Sequence, residues 1–153
     1  MSILGEALVL DASIVVKWFK KGEEFEDEAL SLRNNILSSR VHAFTSEWLL
    51  LEVVRALVKV NYPMNKVEAA YSTLMETISL GFIEAVPVGK ILDRAKEVEI
   101  ALSLFASDAV HLATAVINHA TLISQDRHLL SKNVADYAQS EGIRILSLKE
   151  KNW

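Results

Sequence analysis

The chain has 153 residues, a length that fits one domain with a substantial buried core. Hydrophobic residues make up 51% of it and charged residues 24%, a globular composition that argues against disorder. The absence of cysteine excludes disulfides, thiolate zinc sites and cysteine nucleophiles. The net charge of −4 is not that of a general nucleic-acid binder, although acids concentrated at one site would lower the net charge and leave a local basic rim.

The sequence carries no signal for export or membrane insertion. Residues 1–6 lack the basic start and long apolar stretch of a secretory signal. The most apolar stretch, from Leu49 to Val60, is interrupted by three charged residues, and no run approaches the ~18 residues that a membrane helix needs. These features predict a cytoplasmic protein that does not enter membranes.

Short apolar segments alternate with longer amphipathic segments along the chain. The apolar run 7–10 is typical of a buried strand, and it ends at Asp11. The next segments predict a helix over 13–19, a helix over 23–39, a strand over 41–44, a helix from residue 45 or 46 to about 61, and a helix over 64–80. The remainder predicts a strand over 82–88, helices over 90–104 and 108–119, a strand over 121–124, a helix over 133–142 and a strand over 143–146.

This alternation predicts the fold class. Apolar strands separated by helices are typical of a doubly wound α/β domain, in which helices cover both faces of a parallel sheet. With few linker residues and no internal repeat, the whole chain, 1–153, is predicted to form one such domain. Thr45 or Ser46 could cap the helix that follows them, and Ser107 the helix that starts at Asp108.

Two carboxylates follow predicted strands. In an open parallel sheet, ligands bind beyond the carboxyl ends of the strands. Asp11 comes directly after the first strand, and Asp126 lies two residues past the strand over 121–124. If both strands are central and parallel, these carboxylates lie at the same edge of the sheet.

Two further acids lie in apolar surroundings. Glu52 is flanked by Leu51 and Val53, and an unpaired buried charge there would be costly, so we expect it to be shifted outward or paired. Asp108 opens another apolar helix. Four converging acids would repel one another unless a divalent cation neutralised them, and oxygen ligands favour Mg²⁺ or Mn²⁺ over zinc. Such a site suits phosphodiester hydrolysis, in which one or two metal ions activate water and stabilise the leaving oxygen.

Each acid alone also has a simpler interpretation. Asp11 and Asp108 could each cap the helix that follows, and Asp126 could be a turn residue. Glu52 could pair with Arg55 one turn on, although such a pair contributes only about 0.2–0.5 kcal/mol and hardly explains the apolar setting. The combination of the four acids favours a shared site.

Four segments of the chain resemble the PIN domain family and, within it, the toxin ribonucleases of VapBC-type toxin–antitoxin pairs. They are residues 9–13 (VLDAS), 46–57 (SEWLLLEVVRAL), 107–115 (SDAVHLATA) and 122–127 (LISQDR). The resemblance spans nearly the whole chain. It implies a five-stranded parallel sheet, Mg²⁺ or Mn²⁺ in an acidic pocket, endonucleolytic cleavage of RNA, a homodimer, and a protein antitoxin whose tail enters the pocket.

The resemblance also assigns roles to single residues. The positions that match the metal-binding and catalytic acids of the family are Asp11, Glu52, Asp108 and Asp126. Ser13 and Ser124 match small hydroxyl positions that support the site, and Ser124 stands where threonine is frequent in the family.

Basic and aromatic residues near the acids are weaker candidates. Lys17 and Lys20 follow Asp11, and Arg127 follows Asp126, so these side chains could hold substrate phosphates, with a solvated surface as the simpler interpretation. His111 lies one turn after Asp108 and is interpreted first as a core residue, with metal ligation or acid–base chemistry as the alternative. The aromatic residues Trp18, Trp48 and Tyr62 are interpreted as core or dimer contacts.

Two other functions compete with a ribonuclease. One is a non-catalytic PIN module that only binds RNA or a protein partner. The other is an α/β phosphatase or signalling domain with an acceptor aspartate, but such phosphatases have a second Asp where this chain has Ser13, and a receiver-like late lysine is not evident. The lack of a Walker-type loop or dinucleotide fingerprint argues against a nucleotide cofactor.

Overall fold

The fold is built on a parallel five-stranded sheet. The structure, a computed structural model, describes residues 3–153. The strands are β1 (Ala7–Leu10), β2 (His42–Ser46), β3 (Ile83–Val86), β4 (Thr121–Ile123) and β5 (Ile145–Leu146). Their order in the sheet is β3-β2-β1-β4-β5, and every neighbouring pair is parallel. The predicted α/β class and the five-stranded parallel sheet are confirmed.

Within residues 3–153, seven α-helices connect and cover these strands. They are α1 (Ala12–Val15), α2 (Glu26–Leu37), α3 (Leu49–Lys59), α4 (Met64–Ser79), α5 (Leu92–Leu102), α6 (Ala106–Ile117) and α7 (Lys132–Ser140). The helix predicted over 13–19 is α1 followed by a 3₁₀ turn at Val16–Trp18. Each of the other predicted elements occurs, with boundaries shifted by a few residues.

Strand β1 shows how the sheet separates two cores. Side chains alternate between the faces of a strand, so Leu8 and Leu10 enter one core while Val9 enters the other. Helices α1 to α4 supply the first core, and α5 to α7 supply the second. Three layers result, with helices on both faces of the sheet as predicted.

The central pair of strands positions the site. β1 lies between β2 and β4, with Leu10 of β1 aligned with Ile123 of β4. The backbone N–H of Asp11 donates to the carbonyl of Ile123 (3.2 Å), which carries the alignment one residue beyond the strand. The loops after β1 and β4 therefore leave the sheet side by side, at its carboxyl edge.

Two predicted caps were wrong. Helix α6 begins at Ala106, after an extended Phe105, so Ser107 lies inside the first turn together with Asp108. Helix α3 begins after Trp48, whose backbone N–H donates to the hydroxyl of Ser46 (3.1 Å). That hydroxyl stabilises the turn that leads into α3. In both cases the connecting turn, which side-chain periodicity does not register, decides where the helix begins.

Within residues 3–153, no single helix has the length and apolar composition needed to cross a membrane. Helices α5 and α6 meet that criterion only when taken together, and the chain bends by 116° between them.

Candidate active site

All four predicted acids line one cavity at the carboxyl edge of β1 and β4. The cavity has a volume of about 670 Å³. Asp11 and Asp126 reach it from the loops after β1 and β4, Glu52 from α3, and Asp108 from the first turn of α6. The structure therefore brings together carboxylates from four separate elements, and the parallel pairing of β1 with β4 accounts for two of them, Asp11 and Asp126.

Asp11 is buried and held by hydroxyl groups. Its side chain is 4% exposed, and its Oδ1 accepts a hydrogen bond from the backbone N–H of Ser13 (3.2 Å), which makes Asp11 the N-cap of α1. Its Oδ2 accepts hydrogen bonds from the hydroxyls of Ser13 (3.1 Å) and Ser124. Both serines named from the sequence thus touch the carboxylate directly, and Asp11 is a helix cap and a cavity residue at once.

The same hydroxyls tie the β4 loop to the site. The Ser124 hydroxyl accepts from the backbone N–H of Asp126 (2.9 Å), and the Ser13 hydroxyl accepts from that of Gln125 (2.9 Å). Asp126 in turn accepts from the backbone N–H of His128 (2.7 Å). Asp126 is therefore a turn residue as well as a cavity residue, and a continuous hydrogen-bonded path joins it to Asp11.

Glu52 pairs with a buried histidine. Its Oε1 lies 2.5 Å from Nε2 of His111, which is fully buried and also lies 4.0 Å from Oδ1 of Asp11. The expectation that Glu52 would be paired is confirmed, but its partner is His111 and not Arg55. The structure thus places His111 both in the core and in contact with the acids.

The acids favour the protonated form of His111. Burial favours the neutral imidazole, but the hydrogen bond to Glu52 and the negative charges of Asp11, Glu52 and Asp108 outweigh it, so the pKa of His111 lies above its ordinary value. The other ring nitrogen, Nδ1, is buried without a hydrogen-bond partner in the described part of the chain. When protonated, His111 partly compensates the negative charge of the cavity.

Burial and neighbouring negative charges both raise the pKa of Asp108. It is 7% exposed, and burial raises its pKa to about 6, with further contributions from the charges of Asp126, Asp11 and Glu52 that His111 only partly offsets. Carboxylates that repel one another in this way are the environment that a divalent cation would relieve.

The donor set fits Mg²⁺ or Mn²⁺ in chemistry, although it is not a closed cage. Among residues 3–153, no three acidic or histidine side chains are arranged as a ready-made metal-binding group. Hydroxyls, backbone N–H groups and the imidazole occupy much of the oxygen surface of Asp11, Glu52 and Asp126. Mg²⁺ keeps several of its waters and commonly binds through one or two carboxylates, so a closed cage is not required. The residues that would hold the ion are Asp11, Glu52, Asp108 and Asp126.

The basic residues named from the sequence do not line this cavity. Lys17 is 9% exposed and its ammonium donates to the carbonyl of Glu24 (2.7 Å), while Lys20 pairs with Glu23 (2.9 Å). Arg127 is exposed and also lies outside the lining of the cavity. Closeness in sequence to Asp11 did not predict closeness to the cavity, because α1 and the following 3₁₀ turn place both lysines away from Asp11.

Two other cations take that place. Arg55 and Lys59 of α3 line the cavity, and neither forms an ion pair with any residue from 3 to 153. They follow Glu52 by three and seven residues, which is the spacing of one helix face. That spacing is visible in the sequence, but there Arg55 was considered only as an ion-pair partner of Glu52.

Comparison with known proteins identifies the family. The sequence profile described as the PIN domain matches residues 8–136, a range that includes all four acids and both serines. The chain therefore belongs to the PIN domain family. A comparison with curated proteins found no match.

Solved structures share the fold at low sequence identity. VapBC2 from Rickettsia felis, bound to a DNA fragment from its promoter, is 16% identical with a TM-score of 0.62, over 92% of this chain and 98% of that chain. A toxin–antitoxin complex from Klebsiella pneumoniae is 18% identical with a TM-score of 0.57, over 89% and 94%. PAE2754 from Pyrobaculum aerophilum is 19% identical with a TM-score of 0.52, over 95% and 90%. At these identities the likeness shows the fold.

Proposed function

We propose that this protein is a metal-dependent endoribonuclease and the toxin of a toxin–antitoxin pair. The observation that carries the proposal is the convergence of four carboxylates on one cavity, where burial, and then the charges of the neighbouring acids, raise the pKa of Asp108 to about 6. Membership of the PIN domain family supports nuclease chemistry, and similarity to structures described as toxin–antitoxin complexes supports the biological setting.

The residues of the chain would bind and orient, while a bound cation would supply the chemistry. A divalent ion, when bound, activates water and stabilises charge on the leaving oxygen of a phosphodiester. The hydroxyls of Ser13 and Ser124 fix the carboxylate of Asp11 before substrate arrives, and His111 fixes that of Glu52. Such fixed orientation lowers the cost of reaching the reactive geometry.

The cations of α3 are evidence for a polyanionic substrate. Four carboxylates alone would repel RNA, but Arg55 and Lys59 lie on the wall of the same cavity without ion-pair partners among residues 3–153. Cations in such a position bind phosphates and release counterions. The cavity thus combines hard oxygen ligands with phosphate-binding groups.

An antitoxin and a second copy of the chain are the proposed protein partners. Helices α3 and α4 expose several large apolar side chains, which are Leu51, Val58, Met64, Tyr71 and Met75. Large apolar side chains exposed on two neighbouring helices favour a protein interface there. Light scattering tests the homodimer directly: we expect twice the chain mass of 17.0 kDa, and a mass of one chain at micromolar concentration would contradict it.

The test of the proposed function is cleavage of a mixed pool of single-stranded RNAs with Mn²⁺, with Mg²⁺ and with a chelator. We expect cleavage with either ion and none with the chelator. Metal binding without cleavage of any RNA would favour the non-catalytic module instead. Incorporation of phosphate from a small phosphodonor would favour the acceptor-aspartate alternative.

Removal of the Ser124 hydroxyl is expected to weaken metal binding. The Ser124→Ala variant loses the donor that holds Asp11, and groups that orient metal ligands in this way typically contribute about 10–100-fold in affinity or activity. Calorimetric Mn²⁺ titration measures the change. Ser124→Thr is the matched control because it keeps the hydroxyl, and equal affinity of the alanine and threonine variants would show that the hydrogen bond has no such role.

Neutralising the cations of α3 is expected to weaken RNA binding by a similar factor for RNAs of different sequence. For single strands, each lost phosphate contact lowers the slope of log K against log salt by about 0.7, so Arg55→Gln and Lys59→Gln should each show this change. Fluorescence anisotropy across a range of KCl concentrations, without divalent ions, measures the slope. Lys96→Gln, an exposed change on α5 outside the cavity, is the control; unchanged slopes in all three variants would rule out phosphate contacts at α3.

A further inference from the structure

An exposed aromatic side chain lies at the mouth of the acidic cavity. Phe105 is 69% exposed and precedes Asp108 by three residues. His128, also exposed, follows Asp126 by two residues, and the two rings meet edge to face with their centroids 5.6 Å apart at 81°. Each ring of this aromatic pair is thus close in sequence to one of the four acids, Phe105 to Asp108 and His128 to Asp126.

The backbone presents Phe105 outward. Helix α5 ends at Leu102, and the C-cap residue Ser103 adopts a left-handed conformation (φ 51°). Leu104 then packs against the core formed by α5 to α7, and Phe105 follows in extended conformation as α6 begins. The alternation of Leu104 and Phe105 places the first side chain inward and the second outward, although a phenyl ring would gain from burial.

A second cavity adjoins the first at these rings. It has a volume of about 310 Å³ and is lined by Ser103, Leu104, Phe105 and His128. Phe105 and His128 also line the acidic cavity, so they form a wall that the two cavities share. None of the residues lining the second cavity in the described part of the chain is acidic, which makes it chemically distinct from the first.

We propose that the second cavity is a nucleobase subsite, in which an unpaired base of the RNA stacks on Phe105 beside the phosphodiester held at the four acids. This inference rests on the proposed function and adds the nucleotide adjoining the cleaved bond. An exposed aromatic face binds any base, and the Ser103 hydroxyl and His128 imidazole can form hydrogen bonds with base edges. A base in a duplex is stacked on its neighbours and cannot enter, so the subsite selects single-stranded RNA.

The experiment measures binding of short fluorescent RNAs in which one nucleotide at a time is abasic. Divalent ions are omitted so that nothing is cleaved. For wild type, we expect one abasic position to weaken binding by about tenfold, the scale of a base–aromatic stack. Phe105→Leu should lose a similar factor with intact RNA and lose nothing further when that position is abasic. Phe105→Tyr, which keeps the ring, should behave as wild type.

A matched variant separates the loss of stacking from the loss of an exposed apolar side chain in general. Ile100→Ala changes another exposed apolar residue, on α5, that lines neither cavity, and it should bind all RNAs as wild type does. If Phe105→Leu binds every RNA as wild type does, or loses the same factor at every abasic position, the subsite is disproved.

The outcomes also distinguish this inference from the proposed function. Cleavage by wild type together with unaltered binding by Phe105→Leu would overturn the subsite and leave the nuclease standing. A wild type that neither binds nor cuts RNA would overturn both. If Phe105→Leu alters only the mass measured by light scattering, Phe105 belongs to a protein interface and the subsite is again overturned.

Discussion

Replacement of Asp11 by asparagine is expected to abolish metal-dependent cleavage of RNA while the fold stays intact. Asparagine keeps the size of the side chain and a carbonyl oxygen that can still accept from the Ser13 and Ser124 hydroxyls. It removes the negative charge and one oxygen ligand. Because groups that merely orient metal ligands contribute about 10–100-fold, loss of a ligand should lower the initial rate by at least about 100-fold.

The measurement compares initial rates on one labelled RNA at equal protein and Mn²⁺ concentrations. Asp93→Asn is the matched control because it makes the same chemical change at an exposed acid in the first turn of α5. Circular dichroism spectra and melting curves of both variants report whether the fold persists. A well-folded Asp11→Asn protein that still cuts RNA at the wild-type rate would refute the assignment of Asp11.

Replacement of Asp108 by asparagine is expected to stabilise the metal-free protein at pH 8. The pKa of Asp108 rises from 3.8 to about 6 in the folded protein, first through burial and then through the charges of Asp126 and Asp11. Its side chain gains no hydrogen bond from residues 3–153 that would offset this cost. A shift of this size corresponds to at most about 3 kcal/mol of unfolding free energy.

The sign of the pH dependence follows from proton linkage. Since the folded pKa exceeds the unfolded one, the native state binds more protons between pH 3.8 and about 6, and stability falls as the pH rises through that window. Above this pH window the ionised Asp108 lowers the free energy of unfolding by the full amount, and below it the protonated side chain does not lower it. His111, with its raised pKa, changes stability in the same direction, because the stability it contributes while protonated is lost as the pH rises through its folded pKa. Wild type and Asp108→Asn share most of this contribution of His111 to stability.

Melting curves in chelator at pH 8 and at pH 4 measure the effect. At pH 8 we expect the free energy of unfolding of Asp108→Asn to exceed that of wild type by about 1–3 kcal/mol. Each kcal/mol corresponds to an increase of about 2–4 °C in Tm. At pH 4, near the lower end of the window, most of the gain should be lost. Asp93→Asn, which also removes a first-turn acid, controls for the helix dipole. A destabilised Asp108→Asn protein at pH 8 would show that Asp108 is a structural residue.

The sequence was sufficient to place Asp11 and Asp126 because one topological rule governs both. A carboxylate just beyond a buried parallel strand lies at the ligand-binding edge, and the pairing of β1 with β4 meets that condition. Glu52 and Asp108 were found by a different signal, the cost of a charge in an apolar helix. Neither signal depends on knowing how helices pack.

The partner of Glu52 could not be predicted because it depends on that packing. His111 lies 59 residues away on another helix, and periodicity gives the face of a helix but not the helix that it meets. The position of Lys17 outside the cavity has the same origin, because the 3₁₀ turn after α1 directs its side chain toward Glu24. Ser107 failed as a cap because the turn from Ser103 to Phe105 decides where α6 begins.

The most direct test of a shared metal site is a calorimetric titration of Mn²⁺ into wild type, Asp108→Asn and Asp93→Asn at pH 8. It needs no knowledge of the RNA target. Saturable binding by wild type and by Asp93→Asn, with binding lost or weakened more than about tenfold in Asp108→Asn, is the predicted result. Absence of binding by wild type, or equal binding by all three proteins, would contradict the convergence of the four acids on a divalent cation.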